Sequence, residues 1–458
     1  MMSHAVLAHL RETLAERFGK NKTEELCRLI YEIARREENE PLNILTLALE
    51  GSALEQIRFT TLKQTLLKRR FPNLAPEDLK RTYLAPLHLP SESEQIPSMR
   101  ELFKPTAIFI EKRAKHYPLA GRVMNAWPEV EMVEIEAIDE LRRPKKDWMK
   151  DFGKRTLAIS VEPFDLVKPC PCSTSTVSCN YYLLNIGYGC PYDCTYCYLQ
   201  AYQNLPAIVL PANLEEFLAH MDQKLELKPG QFTRIGTGEY ADSLALDWLT
   251  EYSKILVPHF KDKAVTLELK TKSDCIENLL NLDHGGRTVI AWSVNPERFC
   301  NEEKKTAAVQ ERLRAAKRCE EAGYGTAFHF DPLILAEGCE KDYERLVEML
   351  FDHVNESIRW ISLGALRFHK DLRRAAEYRH PESQIFLGEG RLDPLDEKMR
   401  YTADSRIRLY REMVRQIQRY RQNTPIYLCM ESPEVWRSVF EGKPYQGKID
   451  QWIACGSS

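Results

Sequence analysis

Apolar positions recur at helical spacing through residues 4–83, where Ala5, Leu7, Leu10, Leu14 and Phe18 form one series and Leu26, Leu29, Ile30 and Ile33 another. Pro72 and Pro76 punctuate the end of this stretch, and LAPLHLPSESEQIPSM (84–99), rich in proline and polar residues, reads as a linker. From about residue 179 the pattern changes to six short apolar runs: YYLLNIG (181–187), FTRIGTG (232–238), VTLELK (265–270), TVIAWSV (288–294), GTAFHF (325–330) and RWISLGAL (359–366). Helical stretches lie between them, such as LDWLTEYSKIL (246–256) and QERLRAAKRCEEAG (310–323), the latter stopping on Gly323. Strands alternating with helices argue for parallel βαβ units. The expected fold class is therefore α/β, an incomplete (β/α)6 barrel with an additional N-terminal helical domain. The expected divisions are 1–95 (helical), 96–178 (pre-barrel), 179–370 (partial barrel) and 371–458 (a C-terminal helical and strand extension). In such barrels the loops after the strands carry the site.

Composition narrows the class. No apolar run approaches the ~20 residues of a membrane span, and mean hydropathy is -0.44. Charges interrupt the first twenty residues, a poor signal peptide, so the expected location is cytoplasmic with no membrane partner. A net charge of -3 gives no whole-molecule case for nucleic acid, so any such surface must be local. Thirteen cysteines in a cytosolic chain of this length are not a disulfide framework. Six of them fall between positions 170 and 197, and five of those, Cys179 set aside, sit where chemistry is to be sought.

Three of those, Cys190, Cys194 and Cys197, stand as CxxxCxxC in the loop after the first barrel strand. Three thiolates in so short a loop can hold three irons of a cubane and leave the fourth iron open, whereas electron-transfer clusters use four cysteines. A structural zinc site is the competing reading, with Cys170 or Cys172 supplying the fourth ligand. A non-catalytic iron–sulfur or zinc-binding module is accordingly the alternative to an enzyme. Cys170, Cys172 and Cys179, in KPCPCSTSTVSC, read as reduced and unligated.

The CxxxCxxC loop after the first strand of a six-strand barrel resembles the radical S-adenosylmethionine superfamily. GCPYDCTYCYLQ (189–200) resembles the spore photoproduct lyase family in particular, as do FKPTAIFIEKRAKHYPLA (103–120), LKTKSDCIENLL, AWSVNPERF and RLRAAKRCEEAGYGTAFHFDPL. The resemblance covers roughly 103–432 and leaves the N-terminal helices outside. It implies a [4Fe–4S] cluster on Cys190, Cys194 and Cys197, S-adenosyl-L-methionine as cofactor, and an external one-electron reductant of the flavodoxin or ferredoxin type. It further implies reductive cleavage to a 5′-deoxyadenosyl radical that abstracts hydrogen from a substrate, a DNA lesion being one candidate.

Further site residues follow. Gly238 and Glu239 in GTGEYADS end the second strand, where a glycine-flanked acid can accept from the methionine ammonium. Lys272 matches a family lysine for the methionine carboxylate, and Ser293 and Asn295 in SVNP are candidates for the carboxylate or ribose. Tyr196 and Tyr198 bracket Cys197 and can shield the cluster or relay a hydrogen atom. His329, between two phenylalanines, faces the barrel interior if they face the helices, and Asp331 follows it. The family's lesion-repair members carry a hydrogen-donating cysteine in the loop after the second strand. Here Gln231–Leu256 has none; Tyr240 is the loop's only residue with a readily abstracted hydrogen, and Cys275, expected at the start of the next helix, is the nearest thiol in the barrel. The expectation is therefore cleavage of the cofactor without efficient return of a spore-type thymine dimer to two thymines. A candidate nucleic-acid surface is the Arg408, Arg411, Arg415 and Arg419 face of a helix over 403–422, with Tyr410 and Tyr420 nearby, and Lys68–Arg70 adds a small basic cluster.

Overall fold

The N-terminal periodicity produces four helices, His4–Ala15, Lys20–Arg36, Pro41–Leu49 and Phe59–Arg70. Their apolar stripes meet in a core of Leu10, Leu14, Leu26, Ile30, Ile33, Ile44, Leu62 and Leu66, all fully buried. Arg70 is not part of a basic surface: it is buried on Glu32 at 3.2 Å, beside Arg28 at 2.7 Å, while Arg69 pairs with Glu37 at 2.5 Å. The computed structural model describes residues 4–37, 39–70, 102–144, 155–162, 167–170, 172, 175–224, 233–354, 356–381, 383, 385–386, 390–392 and 398–441. The expected linker at 84–99 lies outside the described residues. The chain divides into two units, 1–96 and 97–458.

The second unit contains two large sheets. One is parallel and four-stranded, in the order 132–135, 107–111, 156–160, 208–211. The other holds the six expected strands, labelled here β1 (Tyr181–Leu184), β2 (Thr233–Thr237), β3 (Val265–Thr271), β4 (Thr288–Ser293), β5 (Gly325–Leu333) and β6 (Ile358–Ala365). They pair in sequence order and all in parallel. A seventh parallel strand, β7 (Ile426–Leu428), extends the sheet beyond β6, and an antiparallel strand, Val167–Pro169, caps β1. Curling of this sheet brings chain flanking its two edges together, since Val177 N–H, between the cap strand and β1, donates to Glu431 O just after β7 at 3.0 Å.

Alternation decides what fills the concave side. In β3, Val265, Leu267 and Leu269 are buried on one face, and Glu268 and Lys270 take the alternate positions. In β5, Phe328 and Phe330 alternate with Ala327, His329 and Asp331. Successive side chains of a strand point to opposite faces, so the interior is lined with charge. It is stabilised by pairing, as buried charge requires. Arg234 of β2 lies 3.6 Å from Glu268, donates to the Tyr427 hydroxyl, and sits over the rings of Tyr181, Trp360 and Tyr427. Arg367 grips Asp331 with two nitrogens at 3.1 and 3.2 Å.

Two helical expectations change. The 246–256 stretch is broken at Glu251, whose left-handed backbone (φ 55°) separates Asp247–Thr250 from Tyr252–Phe260. The segment joining β3 to β4 forms turns instead of a helix, pinned by Trp292 Nε1–H to Ser273 O and the Tyr324 hydroxyl to Leu279 O.

Candidate active site

The loop carrying Cys190, Cys194 and Cys197 is held from several sides. Gly189, entering it, has φ +89°, and a Cβ there would meet Ile208 Cα at 3.2 Å, so only glycine fits without displacement. Asp193–Cys194 pairs antiparallel with Glu303–Lys304. Gln200 donates to the carbonyls of Cys194 and Thr195 at 3.1 and 2.9 Å. Arg379, from the helix Lys370–Arg379, donates to Asp193 Oδ1 at 2.7 Å and to Gln200 Oε1 at 2.6 Å. Cys194 is buried, and Cys190 and Cys197 are partly exposed. Burial raises the Cys190 thiol well above its usual pKa, and the charges of Asp242, Cys197 and Cys194 add to this. Among the described residues no three His, Cys, Asp or Glu side chains gather as one metal ion would require. Thiolates spread over a cubane stand further apart than those around a single ion.

The loop after β2 is tied directly to the cysteine loop. Gly189 N–H donates to Tyr240 O at 2.8 Å, and the Tyr198 hydroxyl donates to Glu239 O. Cys190, Cys197, Tyr198 and Tyr240 pack around Leu199, and the Tyr240 ring lies against Tyr188 at 5.6 Å. Gly238 has φ +97°; a Cβ there would meet Lys270 O at 2.9 Å and Ser243 Oγ at 3.1 Å, so the bare backbone forms a cradle beside β3. Glu239 faces the interior charges: burial raises its carboxyl pKa, opposed by Lys270, Tyr198 and Arg367.

The remaining candidates form a second group. Lys272 donates to Ser293 Oγ, lies 3.6 Å from Glu303 Oε1 and stands 5.7 Å over the Tyr196 ring. Asn295 Nδ2 donates to Glu303 Oε1 at 3.0 Å and lies 3.4 Å from the Tyr196 hydroxyl, which donates to the same carboxylate. Glu303, which the sequence reading missed, is the hub. Burial pushes its pKa up, but Arg312 at 2.8 Å and then Lys272 outweigh that and hold it at about 2. Asp242, also missed, accepts from Thr271 Oγ1 at 2.6 Å and from the backbone N–H of Lys272 at 2.7 Å, linking the β2 loop to the β3 loop. The structure thus gathers Gly238, Glu239, Tyr198 and Tyr240 beside the cysteines, and Tyr196, Lys272, Ser293 and Asn295 around Glu303.

His329 does face inward. Its Nε2 lies 2.6 Å from Glu268 Oε1; burial, then Lys270, lower its pKa, while Arg234 and His329 overcome burial to hold Glu268 at about 2. The polar residues at alternate positions of β3 and β5 were the available signal for Glu268 and Lys270.

The arginines of the expected nucleic-acid face make local surface contacts, and its two tyrosines point into the core or against it. On the helix Ala403–Tyr420, Arg411 donates to Ser438 O, Arg415 pairs with Glu412 and Arg419 with Glu344. Tyr410 is fully buried with its hydroxyl on Glu431, and Tyr420 stacks on Phe351. No helix among the described residues is long and apolar enough to cross a membrane.

Comparison with known proteins agrees with this geometry. The model of the spore photoproduct lyase family matches residues 103–423. The spore photoproduct lyase of Bacillus subtilis (strain 168) is 29% identical over 317 residues, covering 66% of this chain and 88% of that protein. The spore photoproduct lyase of Geobacillus sp. (strain Y412MC61) is 26% identical over 303 residues, covering 63% and 86%. A spore photoproduct lyase complexed with dinucleoside spore photoproduct superposes with a TM-score of 0.63 at 23% identity, over 71% of this chain and 99% of that one. A doubly substituted spore photoproduct lyase with bound AdoMet and the same dinucleoside gives a TM-score of 0.62 at 24% identity, over 71% and 98%. With more than half of its length matched by that family, and with the cysteine loop at the ends of a parallel half-barrel, the chain belongs to the spore photoproduct lyase family of radical S-adenosylmethionine enzymes.

Proposed function

We propose that Cys190, Cys194 and Cys197 hold a [4Fe–4S] cluster and that the barrel mouth beside them binds S-adenosylmethionine, for action on a thymine photolesion in DNA. The observation that carries this is the pair of bonds Gly189–Tyr240 and Tyr198–Glu239, which fastens the cysteine loop to the Gly238–Glu239 loop. When bound and reduced by an external one-electron donor, cluster and cofactor together supply the hydrogen-abstracting chemistry. This chain's residues fit them: a three-cysteine loop, a glycine cradle at Gly238, and the partly buried carboxylate of Glu239. Glu239 would accept from the methionine ammonium. Lys272 and Ser293 would bind its carboxylate, which would share Lys272 with Glu303. Asn295 would serve the ribose, and Tyr196 and Tyr198 would cover the cluster. The lesion as substrate is supported by the relatives' name and by the dinucleoside held in their structures.

The test is anaerobic reconstitution with iron and sulfide, followed by reduction with dithionite. A brown protein that converts S-adenosylmethionine to 5′-deoxyadenosine and methionine is expected. A colourless protein with stoichiometric zinc would overturn the proposal in favour of a metal-binding module.

A further inference from the structure

Charged side chains on the inner face of the half-barrel are largely matched to one another. Arg234 serves Glu268, Arg367 serves Asp331, and His329 bonds Glu268. Two polar side chains there have no such match. Asn185, just after β1, is 5% exposed, and its Oδ1 has no hydrogen-bond partner among the described residues. Lys270 of β3 makes no side-chain hydrogen bond or ion pair among the described residues. A buried amide oxygen without a donor is costly, which marks a place where a ligand can supply the missing group.

Strand register brings the two together. Leu183 of β1 pairs with Gly236 of β2, so Asn185, two residues on, comes level with Gly238. Thr237 pairs with Leu269, so Gly238 comes level with Lys270, and a Cβ on Gly238 would meet Lys270 Cβ at 3.1 Å. Lys270 in turn pairs with Ala291 of β4. Alternation turns both side chains inward. Leu184 and Ile186, on either side of Asn185, pack in the main core, whereas Tyr181 lies against Gly236 and under the Arg234 guanidinium inside the barrel. Lys270 alternates with buried Leu269 and shares its face with Glu268. Amide and ammonium therefore flank a strand that carries no side chain at their level, with backbones about 10 Å apart across two inter-strand spacings. Ala291 leaves room beside them.

We propose that Asn185 and Lys270 form an imide-reading site that holds the substrate base by its Watson–Crick edge. This rests on the lesion reading above and names the edge by which the lesion is held. An enzyme that takes a base out of the stack reads it by hydrogen bonds to that edge. A thymine presents there a carbonyl, the N3–H and a second carbonyl, in the order acceptor, donor, acceptor. A carboxamide offers a donor beside an acceptor whichever way it is turned. Asn185 Oδ1 accepts from N3–H, its Nδ2 donates to the carbonyl on one side, and the Lys270 ammonium donates to the carbonyl on the other, a charge-assisted bond. A ring saturated between C5 and C6 keeps the same edge, so the site takes thymine and dihydrothymine alike. Blocking N3 removes the one donor that the Asn185 oxygen lacks.

The experiment uses the full-length reconstituted enzyme with S-adenosylmethionine and no reductant, so that nothing turns over, and dinucleoside spore photoproduct as probe. In equilibrium dialysis the same dinucleoside methylated at N3 of both rings should bind at least tenfold more weakly, a comparison that needs no variant. Asn185→Leu should weaken the unmethylated probe at least tenfold and bring the two probes to within about twofold of each other, and Lys270→Met should weaken the unmethylated probe at least fivefold. Retained visible absorption reports that each variant is folded. Equal affinity of the unsubstituted enzyme for the two probes, a methylation penalty that persists in Asn185→Leu, or undiminished binding in Lys270→Met overturns the imide site and leaves the lesion reading standing. If the unsubstituted enzyme binds and cleaves S-adenosylmethionine but binds neither probe, the lesion reading fails and the imide site fails with it.

Discussion

Glu303→Gln keeps the shape of the hub and removes its charge. Glu303 is 5% exposed, with Arg312 at 2.8 Å, Lys272 at 3.6 Å, and hydrogen bonds from Asn295 and Tyr196. Holding a carboxyl at about 2 instead of 4.5 corresponds to about 3 kcal/mol of preference for the charged form. Breaking one partner of a buried ion pair costs about 3–5 kcal/mol because the other charge is left behind, so both routes give a loss of that order. All seven tryptophans lie beyond residue 96, so their fluorescence during urea unfolding of the cluster-free chain reports the 97–458 unit alone. The sign of the pH dependence follows from a depressed folded-state pKa. The stabilisation is fully present above the unfolded carboxyl value of about 4.3 and is lost as pH falls through about 2. The stability difference between the unsubstituted protein and the Glu303→Gln variant should therefore shrink by about half between pH 7 and pH 3. A deficit under about 1 kcal/mol at pH 7, or one that does not shrink with acid, would refute the reasoning, because it would mean the pair is already satisfied by solvent.

Alanine at Cys190, Cys194 or Cys197 should each abolish most of the visible absorption of the reconstituted enzyme and its cofactor cleavage; retention of both by any one variant would remove that residue from the ligand set. Glu239→Gln and Lys272→Ala should each assemble the cluster yet bind S-adenosylmethionine about tenfold to a hundredfold more weakly, as for a charge-assisted bond of about 1.5–3 kcal/mol; equilibrium binding with unchanged affinity in both would show the pocket lies elsewhere. Arg379→Met frees Asp193 and Gln200 from their clamp, so iron retained after gel filtration should fall severalfold, and full retention would show that the clamp is dispensable.

Much of the fold was legible because barrel strands carry a double signal. Runs such as TVIAWSV are apolar and bounded by turn residues, and β4 is buried along its whole length. Its neighbours in chain order are its neighbours in the sheet, so the strand sequence sufficed for topology. Ile426–Leu428 escaped because three residues show no periodicity, and its pairing with β6 is a tertiary event. The turn segment after β3 resembled a helix because Ile276, Leu279 and Leu280 are spaced like one. Trp292 and Tyr324 instead hold its carbonyls in turns. Glu303 was hidden for another reason: it lies in no barrel-strand terminus, and only its pairing across to Cys194 brings it under the cysteine loop.

Charge pairing separates Glu239 from the other interior carboxylates. Glu268 has Arg234 and His329, Asp331 has both guanidinium nitrogens of Arg367, and Glu303 has Arg312 and Lys272. Each is held below the ordinary carboxyl range despite burial. Asp242 is instead filled by donors from Thr271, Lys272, Leu244 and Ala245. Glu239 has its pKa raised, because burial outweighs Lys270, Tyr198 and Arg367. A carboxylate kept in that condition gains most from a cation brought in from outside, whereas a fully paired one gains little. An incoming ammonium would relieve its burial penalty and lower its pKa, coupling proton release to binding. That is the physical reason to seat the cofactor's amino group at Glu239 and not at the better-ordered carboxylates around it. The same logic leaves the carboxylate end of the ligand to Lys272, the cation at the other group, whose salt bridge to Glu303 at 3.6 Å is longer than the 2.8 Å contact of Arg312 with that acid.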